Sequence, residues 1–401
     1  MGWKSPVAAA ALALGLISTA CGTPGQANDQ LFFQAGNAVS VIRAGATAPT
    51  FKSAYAVPSR DWSTVVRTKW RRGSTRIEAF IPSSGTKLWS QRAESVLRTK
   101  VVSENGNLAA LGPLYEGDYR VGRKRTQIVI AGRSGSPRYI GLTGNYEPEA
   151  FSLDGKSLFV LHYRPARAPT SYQVQRLDLA TGNVHDVFTP DAHRQEAMRG
   201  DARVQAVSDD GRRLYTLYTV RTPHGLHAFI HVLSLDELWA HCIDLPDDFA
   251  LGARHSALSV SPDGNSVYVA NPVAESVAEV DAHALSVKRT SEVDFGLPAR
   301  THAVLSEGTM YLGNGSFLTA VGLNDLQEKD SWVMGNRING IQVSRDGRHL
   351  YVGLVNRVVV LDAVSGKVTK SLDPKGVGRI GRLGRVIKTI NPIPKTLSCA
   401  C

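Results

Sequence analysis

Over most of its length the chain alternates short apolar runs with clusters of Gly, Asp, Ser and Asn, a pattern that predicts strands joined by tight turns. One stretch shows the unit plainly: Val260-Ser261-Pro262-Asp263-Gly264-Asn265-Ser266-Val267-Tyr268-Val269-Ala270-Asn271. Pro262 presets φ for a turn, Asp263 can bond its own backbone, and Gly264 accepts a positive φ. Val267, Tyr268 and Val269 then favour a strand. Copies occur at Ser103-Glu104-Asn105-Gly106, Ser152-Leu153-Asp154-Gly155, Ser208-Asp209-Asp210-Gly211 and Ser344-Arg345-Asp346-Gly347, with a shorter one at Ser306-Glu307-Gly308. An apolar residue precedes each Ser. A second turn follows most copies, as in Leu177-Asp178-Leu179-Ala180-Thr181-Gly182-Asn183-Val184 and Leu361-Asp362-Ala363-Val364-Ser365-Gly366-Lys367-Val368. Val280-Asp281-Ala282-His283-Ala284-Leu285-Ser286-Val287 is a version without the Gly.

Each unit therefore offers four short strands, and units of this length with four strands are propeller blades. A blade cannot bury both faces alone, so blades stack around an axis and close a ring. Counting a degenerate unit near residues 60–93, the repeats predict an all-β fold, a seven-bladed β-propeller of four-stranded antiparallel blades over residues 31–374. The strand Ala38-Val39-Ser40-Val41-Ile42 is expected to latch the ring as the outer strand of a blade begun elsewhere. Val267-Tyr268-Val269-Ala270-Asn271 and Leu350-Tyr351-Val352-Gly353, each between a Ser-x-Asp-Gly turn and an Asp-bearing hairpin, resemble the repeat of the YVTN family of β-propellers. The resemblance implies a seven-bladed ring, commonly exported, and no single activity.

The first twenty residues read as a signal peptide: Lys4, then an apolar run from Val7 to Ile17. Ser18-Thr19-Ala20-Cys21-Gly22 resembles the bacterial lipobox, which implies cleavage before Cys21 and acylation of its sulfur. Ser18 departs from that pattern, where Leu is usual, and Ser18-x-Ala20 also suits ordinary secretory cleavage. The expectation is a cell-envelope protein held by lipid on the extracytoplasmic face of the membrane, with secretion as the alternative. Residues 21–30 would be its tether. Cys242, Cys399 and Cys401 remain, and their pairing is open.

The formal net charge is +11, which favours anionic partners. Export speaks against nucleic acid. After Asp373 the chain holds no acid, and residues 375–401 read as a basic Gly/Arg-rich tail. Within it Arg379, Arg382 and Arg385, interleaved with apolar residues, suit an anionic lipid or wall polymer. The competing reading packs the same tail over the last blade and closes the ring through Val386 and Ile387. Lys375-Gly376-Val377-Gly378-Arg379-Ile380-Gly381 matches GxGxxG but lacks the following acid of a dinucleotide site.

Propellers take ligands where the connections into the inner strands surround the channel. Five residues before each aligned Ser stand Arg98, Glu147, Arg203, Ser256, Thr301 and Asn339, with His255 and His302 beside that level. Arg98, Glu147, Arg203, His255, His302 and Asn339 are thus candidate ligand-binding residues. His224, His227 and His231 are a weaker candidate for a metal, with no carboxylate or Cys at matching spacing. No Gly-x-Ser-x-Gly elbow occurs, and no nucleophile, base and orienter can be assembled. The expected function is a non-catalytic binding or scaffold module, without cofactor, for a protein or anionic polymer. The alternative is a secreted propeller enzyme, lactone-hydrolase-like or cofactor-linked, using a polar channel mouth.

Overall fold

The computed structural model describes residues 29–388, apart from 36–37, 45, 47, 115–119, 121, 190–199 and 374–379. It is an all-β propeller with eight four-stranded sheets, every pairing within them antiparallel. We number the blades along the chain. The inner strands of blades 2 to 8 are Ala56–Pro58, Leu97–Val102, Asn145–Phe151, Asp201–Val207, Ala257–Val260, Thr301–Ser306 and Ile341–Val343. Blade 1 joins the two ends of the chain. Its inner strand is Arg382–Lys388, followed outward by Asp29–Ala35, Ala38–Arg43 and Phe51–Ser53.

The expected count of seven is therefore corrected to eight. The strand at residues 38–42 is third in its blade, not outermost, and the stretch read as a basic tail supplies the innermost strand. Leu31 pairs with Val386 and Gln30 with Ile387 across that seam. The physical reason is burial. Leu31, Phe32 and Phe33 are fully buried, and their strand needs partners on both edges to satisfy its backbone. One apolar cluster fills each junction between neighbouring blades, including Leu31, Phe33, Leu383 and Tyr351 between blades 8 and 1, and Phe32, Val41 and Phe80 between blades 1 and 2.

Up-and-down strand order sorts the connections onto two ends of the ring. Turns after the first and third strands share one end, here the lower. Hairpins after the second strand and connections between blades share the upper end. The Ser-x-Asp-Gly turns are all lower-end turns, and their bonding explains the motif. Ser261 donates to Asp263 (2.5 Å) and accepts from the Ser266 N–H (2.9 Å), while the Gly264 N–H closes onto Ser261 O (2.9 Å). The same triad recurs at Ser152, Ser208 and Ser344. Gly155, Gly211, Gly264 and Gly347 sit at φ 69, 73, 74 and 72°, as the turn requires. Blade 2 carries the network too, through Ser59, Asp61 and Thr64, but Trp62 takes the glycine position at φ 62°. That substitution is why its repeat reads as degenerate.

The lower end also ties each blade to the next. Gln30 donates to Ser83 O, Trp89 to Gly106 O, Arg138 to Ala180 O, and the Leu153 N–H to Leu235 O. Arg213 then reaches Ala282 O, Arg289 reaches Leu323 O, and Tyr311 reaches Ala363 O. The ring closes with Tyr351 donating to the buried Asp29 carboxylate at 2.9 Å.

Candidate functional site

The upper end is built differently. Where the connections enter the inner strands of blades 6, 7, 8 and 1, a cavity of about 680 Å³ opens onto the channel. Its wall brings together Arg254, Ser256, Arg300, His302, Gln342 and Arg382, with Gln205 of blade 5 opposite, and no acidic side chain lines it. Each cation has a distinct local origin. Arg254 lies on the 3-10 turn Ala253–His255, whose preceding Gly252 stands at φ 60° and packs so closely on Val273 that a Cβ would collide with it. Arg300 ends the connection into blade 7, and Arg382 begins the closing strand. Among the described residues, none of these three makes an ion pair.

His255 accepts a hydrogen bond from Arg254 Nε at 3.0 Å, and burial, then the Arg254 charge, lowers the imidazole pKa. His302 is pushed down to about 4 by burial, then by Arg300, Arg382 and Arg337, so it stays neutral at ordinary pH. Burial likewise lowers the Arg382 guanidinium, and Arg300 adds to the shift. The Ser256 hydroxyl is buried without a hydrogen-bond partner. Three like charges, a neutral imidazole and an unspent hydroxyl make a wall chemically suited to an anion.

The opposite side of the channel is self-satisfied. Glu147 of blade 4 pairs with Arg123 (2.8 Å) and Lys100 (3.0 Å), and Arg123 also bonds Asn145 and Tyr146 O. Arg60, from the lower turn of blade 2, donates to Glu149 O at 2.9 Å. Burial pushes the Glu149 carboxyl up, and it accepts from Gln205. These carboxylates are spoken for by the fold.

The sequence candidates thus separate. His302 lines the cavity, and Ser256 and Thr301 stand at its wall as the strand register implied. Glu147 belongs to the paired side. Asn339 is structural: its side chain donates to Ile380 O (3.0 Å) and its carbonyl accepts from the Leu383 N–H (3.3 Å), holding the closing strand. Arg98 is exposed on blade 3. Arg203 sits at a bulge between Ala202 and Val204, its side chain outside the described set. Arg254, Arg300 and Arg382 carry the site, and the repeat alignment missed the first two because they lie in connections that share no pattern. Arg382 was expected on an outer anionic surface; it faces the channel instead, because its strand is innermost. Arg385 is on the same strand, with its side chain outside the described residues, as are Arg379, Cys21, Cys399 and Cys401.

The three histidines do not converge. His224 occupies an exposed hairpin tip, His227 bonds Asp244 (3.1 Å), and His231 is buried, pushed down to about 4 by burial and then by His241. Among the described residues no three His, Cys, Asp or Glu groups are placed to hold a metal.

No protein-family model matches the chain, and no curated protein aligns with it. Solved structures share its fold. Dihydro-heme d1 dehydrogenase NirN, solved in complex with DHE, superposes with a TM-score of 0.56 at 14% identity, covering 91% of this chain and 75% of that one. AztD from Citrobacter koseri superposes at 0.55 with 15% identity, covering 91% and 99% of the two chains, and its apo form at 0.53 with 15% identity, covering 90% and 97%. At such identities the likeness is one of fold, the β-propeller, and not of activity.

Proposed function

We propose that the protein is a non-catalytic binding propeller that takes an anionic group of its partner into the upper channel mouth. One observation carries this reading: Arg254, Arg300 and Arg382 converge unpaired on a cavity whose wall has no acidic side chain. Such a wall is stabilised by whatever neutralises it. The partner class that fits is a carboxylate- or phosphate-bearing polymer or protein segment. The signal-like run Val7–Ile17 and Ser18-Thr19-Ala20-Cys21 support a place in the cell envelope, anchored through lipid on Cys21. The repeat likeness to YVTN propellers agrees with an exported binding role.

Inorganic pyrophosphate is a suitable probe. Calorimetry at low salt should show binding that the double variant Arg300→Gln, Arg382→Gln weakens at least tenfold, since each charge-assisted bond contributes roughly 1.5–3 kcal/mol. The His302 imidazole, followed by NMR, should rise from about 4 as pyrophosphate saturates the site, because the bound anion offsets the arginines. Pyrophosphate binding that is absent, or that is equal in the double variant, would sink this reading.

A further inference from the structure

Blade 2 carries a second cationic surface, distinct from the channel. Its second, third and fourth strands, Val65–Arg71, Ser74–Ile81 and Thr86–Ala93, set Lys69 opposite Arg76 and Arg76 opposite Arg92. Three basic side chains thus stand in one row across three strands, on one face. Directly opposed like charges destabilise a sheet. The next row down shows the ordinary arrangement: Arg67 and Lys87 pair with Glu78 at 2.8 and 3.3 Å. Blade 6 does the same with Lys288, Arg289 and Glu279. The upper row of blade 2 has no such acid; the one nearby, Glu94, pairs with Arg92 at 3.3 Å on the exposed rim.

A second observation points the same way. The hairpin that joins these strands turns through Arg72 and Gly73, at φ 49 and 77°. Hairpin turns of this hand favour Asn or Gly at the first position. Arg72 keeps a cation there against backbone preference, beside exposed Arg71. Around the row lies a groove of about 840 Å³, completed by Ser74, Ser90 and Gln91.

We propose that this flank of blade 2 binds a linear polyanion, a chain bearing repeated phosphate or carboxylate groups. Neighbouring strands lie about 4.8 Å apart, so the row offers a cation every ~5 Å, a spacing a flexible anionic chain can follow. A lipid surface fits less well. The site is a groove rather than a protruding tip. Its aromatic residue, Trp70, is also engaged, donating to Leu97 O (2.6 Å) and packing edge-on against Tyr55. It therefore has no free ring to insert into a bilayer. The proposal stands on blade 2 alone and does not depend on the channel mouth.

The test uses the full chain with long-chain inorganic polyphosphate as probe. At low salt, binding should be readily measured, and the triple variant Lys69→Gln, Arg76→Gln, Arg92→Gln should lose at least tenfold in affinity. Its dependence of log affinity on log salt should flatten by about 2, near 0.7 for each cation removed. Its melting temperature should hold or rise, because the opposed charges are gone. Vesicles of 30% phosphatidylglycerol in phosphatidylcholine form the comparison arm. Unchanged polyphosphate binding, a lower melting temperature in the triple variant, or tighter binding to the vesicles than to polyphosphate would each overturn the proposal.

Discussion

The two ends of the ring obey different rules. At the lower end the turns after the inner strands of blades 2 to 6 and 8 repeat one bonding scheme, and each blade is tied there to the next. Carboxylates such as Asp154 and Asp263 are consumed by serine hydroxyls and turn N–H groups. At the upper end the connections share no sequence pattern. Lys100 and Arg123 there pair with Glu147, but among the described residues Arg254, Arg300 and Arg382 make no ion pair, and a cavity wall without carboxylates opens among them. Under the proposed function, stability and recognition are concentrated at opposite ends of the axis. Stitching one end with repeats leaves the other free to vary without unravelling the ring.

The sharpest way to break this comparison is to remove the seam. A chain ending at Gly381 loses the inner strand of blade 1, the partner of Asp29–Ala35. Lower-end stitching alone should not hold the ring, and the loss should exceed ~5 kcal/mol, enough to abolish a cooperative melt. A truncated chain that melts like the full one would show that the closing strand is dispensable.

Within the lower end, Gly264→Val should cost about 1–3 kcal/mol in urea unfolding, through backbone strain. Nothing lies within 4 Å of the added Cβ, so no clash confuses the reading. By contrast, Arg254→Gln or Arg300→Gln at the upper end should change stability by no more than ~0.5 kcal/mol, the usual range for surface changes, while weakening anion binding. A strong destabilisation by either would erase the distinction between the two ends.

Acid titration gives the finest comparison. Bonds from Ser152 and Ser261 to Asp154 and Asp263 hold those carboxyls below their ordinary range, and turn N–H groups do so for Asp178, Asp281 and Asp362. The unfolded chain then takes up protons first. Their stabilisation is complete above about pH 4 and is lost as pH falls through the depressed native values. His302 works in a higher window. Its imidazole, pushed down to about 4, binds protons more readily when unfolded, so stability should decline between about pH 6.5 and 4. Melting profiles of His302→Gln should lose part of that upper slope and keep the lower one. An unchanged upper slope would mean that His302 is not desolvated in the mouth.

What the sequence made legible follows the same division. Turn serines, aspartates and glycines recur because each blade solves the same local problem, so the lower end could be aligned from composition alone. Two copies escaped. In blade 2, Trp62 replaced the marker glycine while Ser59 and Asp61 kept the network. In blade 1 the strands come from opposite ends of the chain, and pairing at that distance leaves no local mark. A clue was present: Leu31-Phe32-Phe33 and Val39-Ser40-Val41-Ile42 form an apolar hairpin with no inner strand preceding it nearby in the chain. The alternation of Arg382-Leu383-Gly384-Arg385-Val386 was read as an amphipathic strip, though one of the two readings weighed did place it in the ring. The register rule reached the cavity wall at Ser256 and Thr301. It could not show that arginines from two connections and the closing strand meet, because that depends on how the ring closes.

The seam also sets a direction in space. Asp29 leaves the ring at the lower end, opposite the channel mouth, since it pairs with Lys388 where the closing strand finishes. The residues between Cys21 and Asp29 can reach at most ~30 Å even when fully extended. If Cys21 carries lipid as proposed, the short leash fixes which way the molecule looks. The stitched end would rest toward the bilayer, and the arginine mouth and the basic flank of blade 2 would be held up, facing away from it. On such a leash the protein would be a receptor with an assigned outlook, able to meet partners arriving from the aqueous side and screened from the headgroups beneath it.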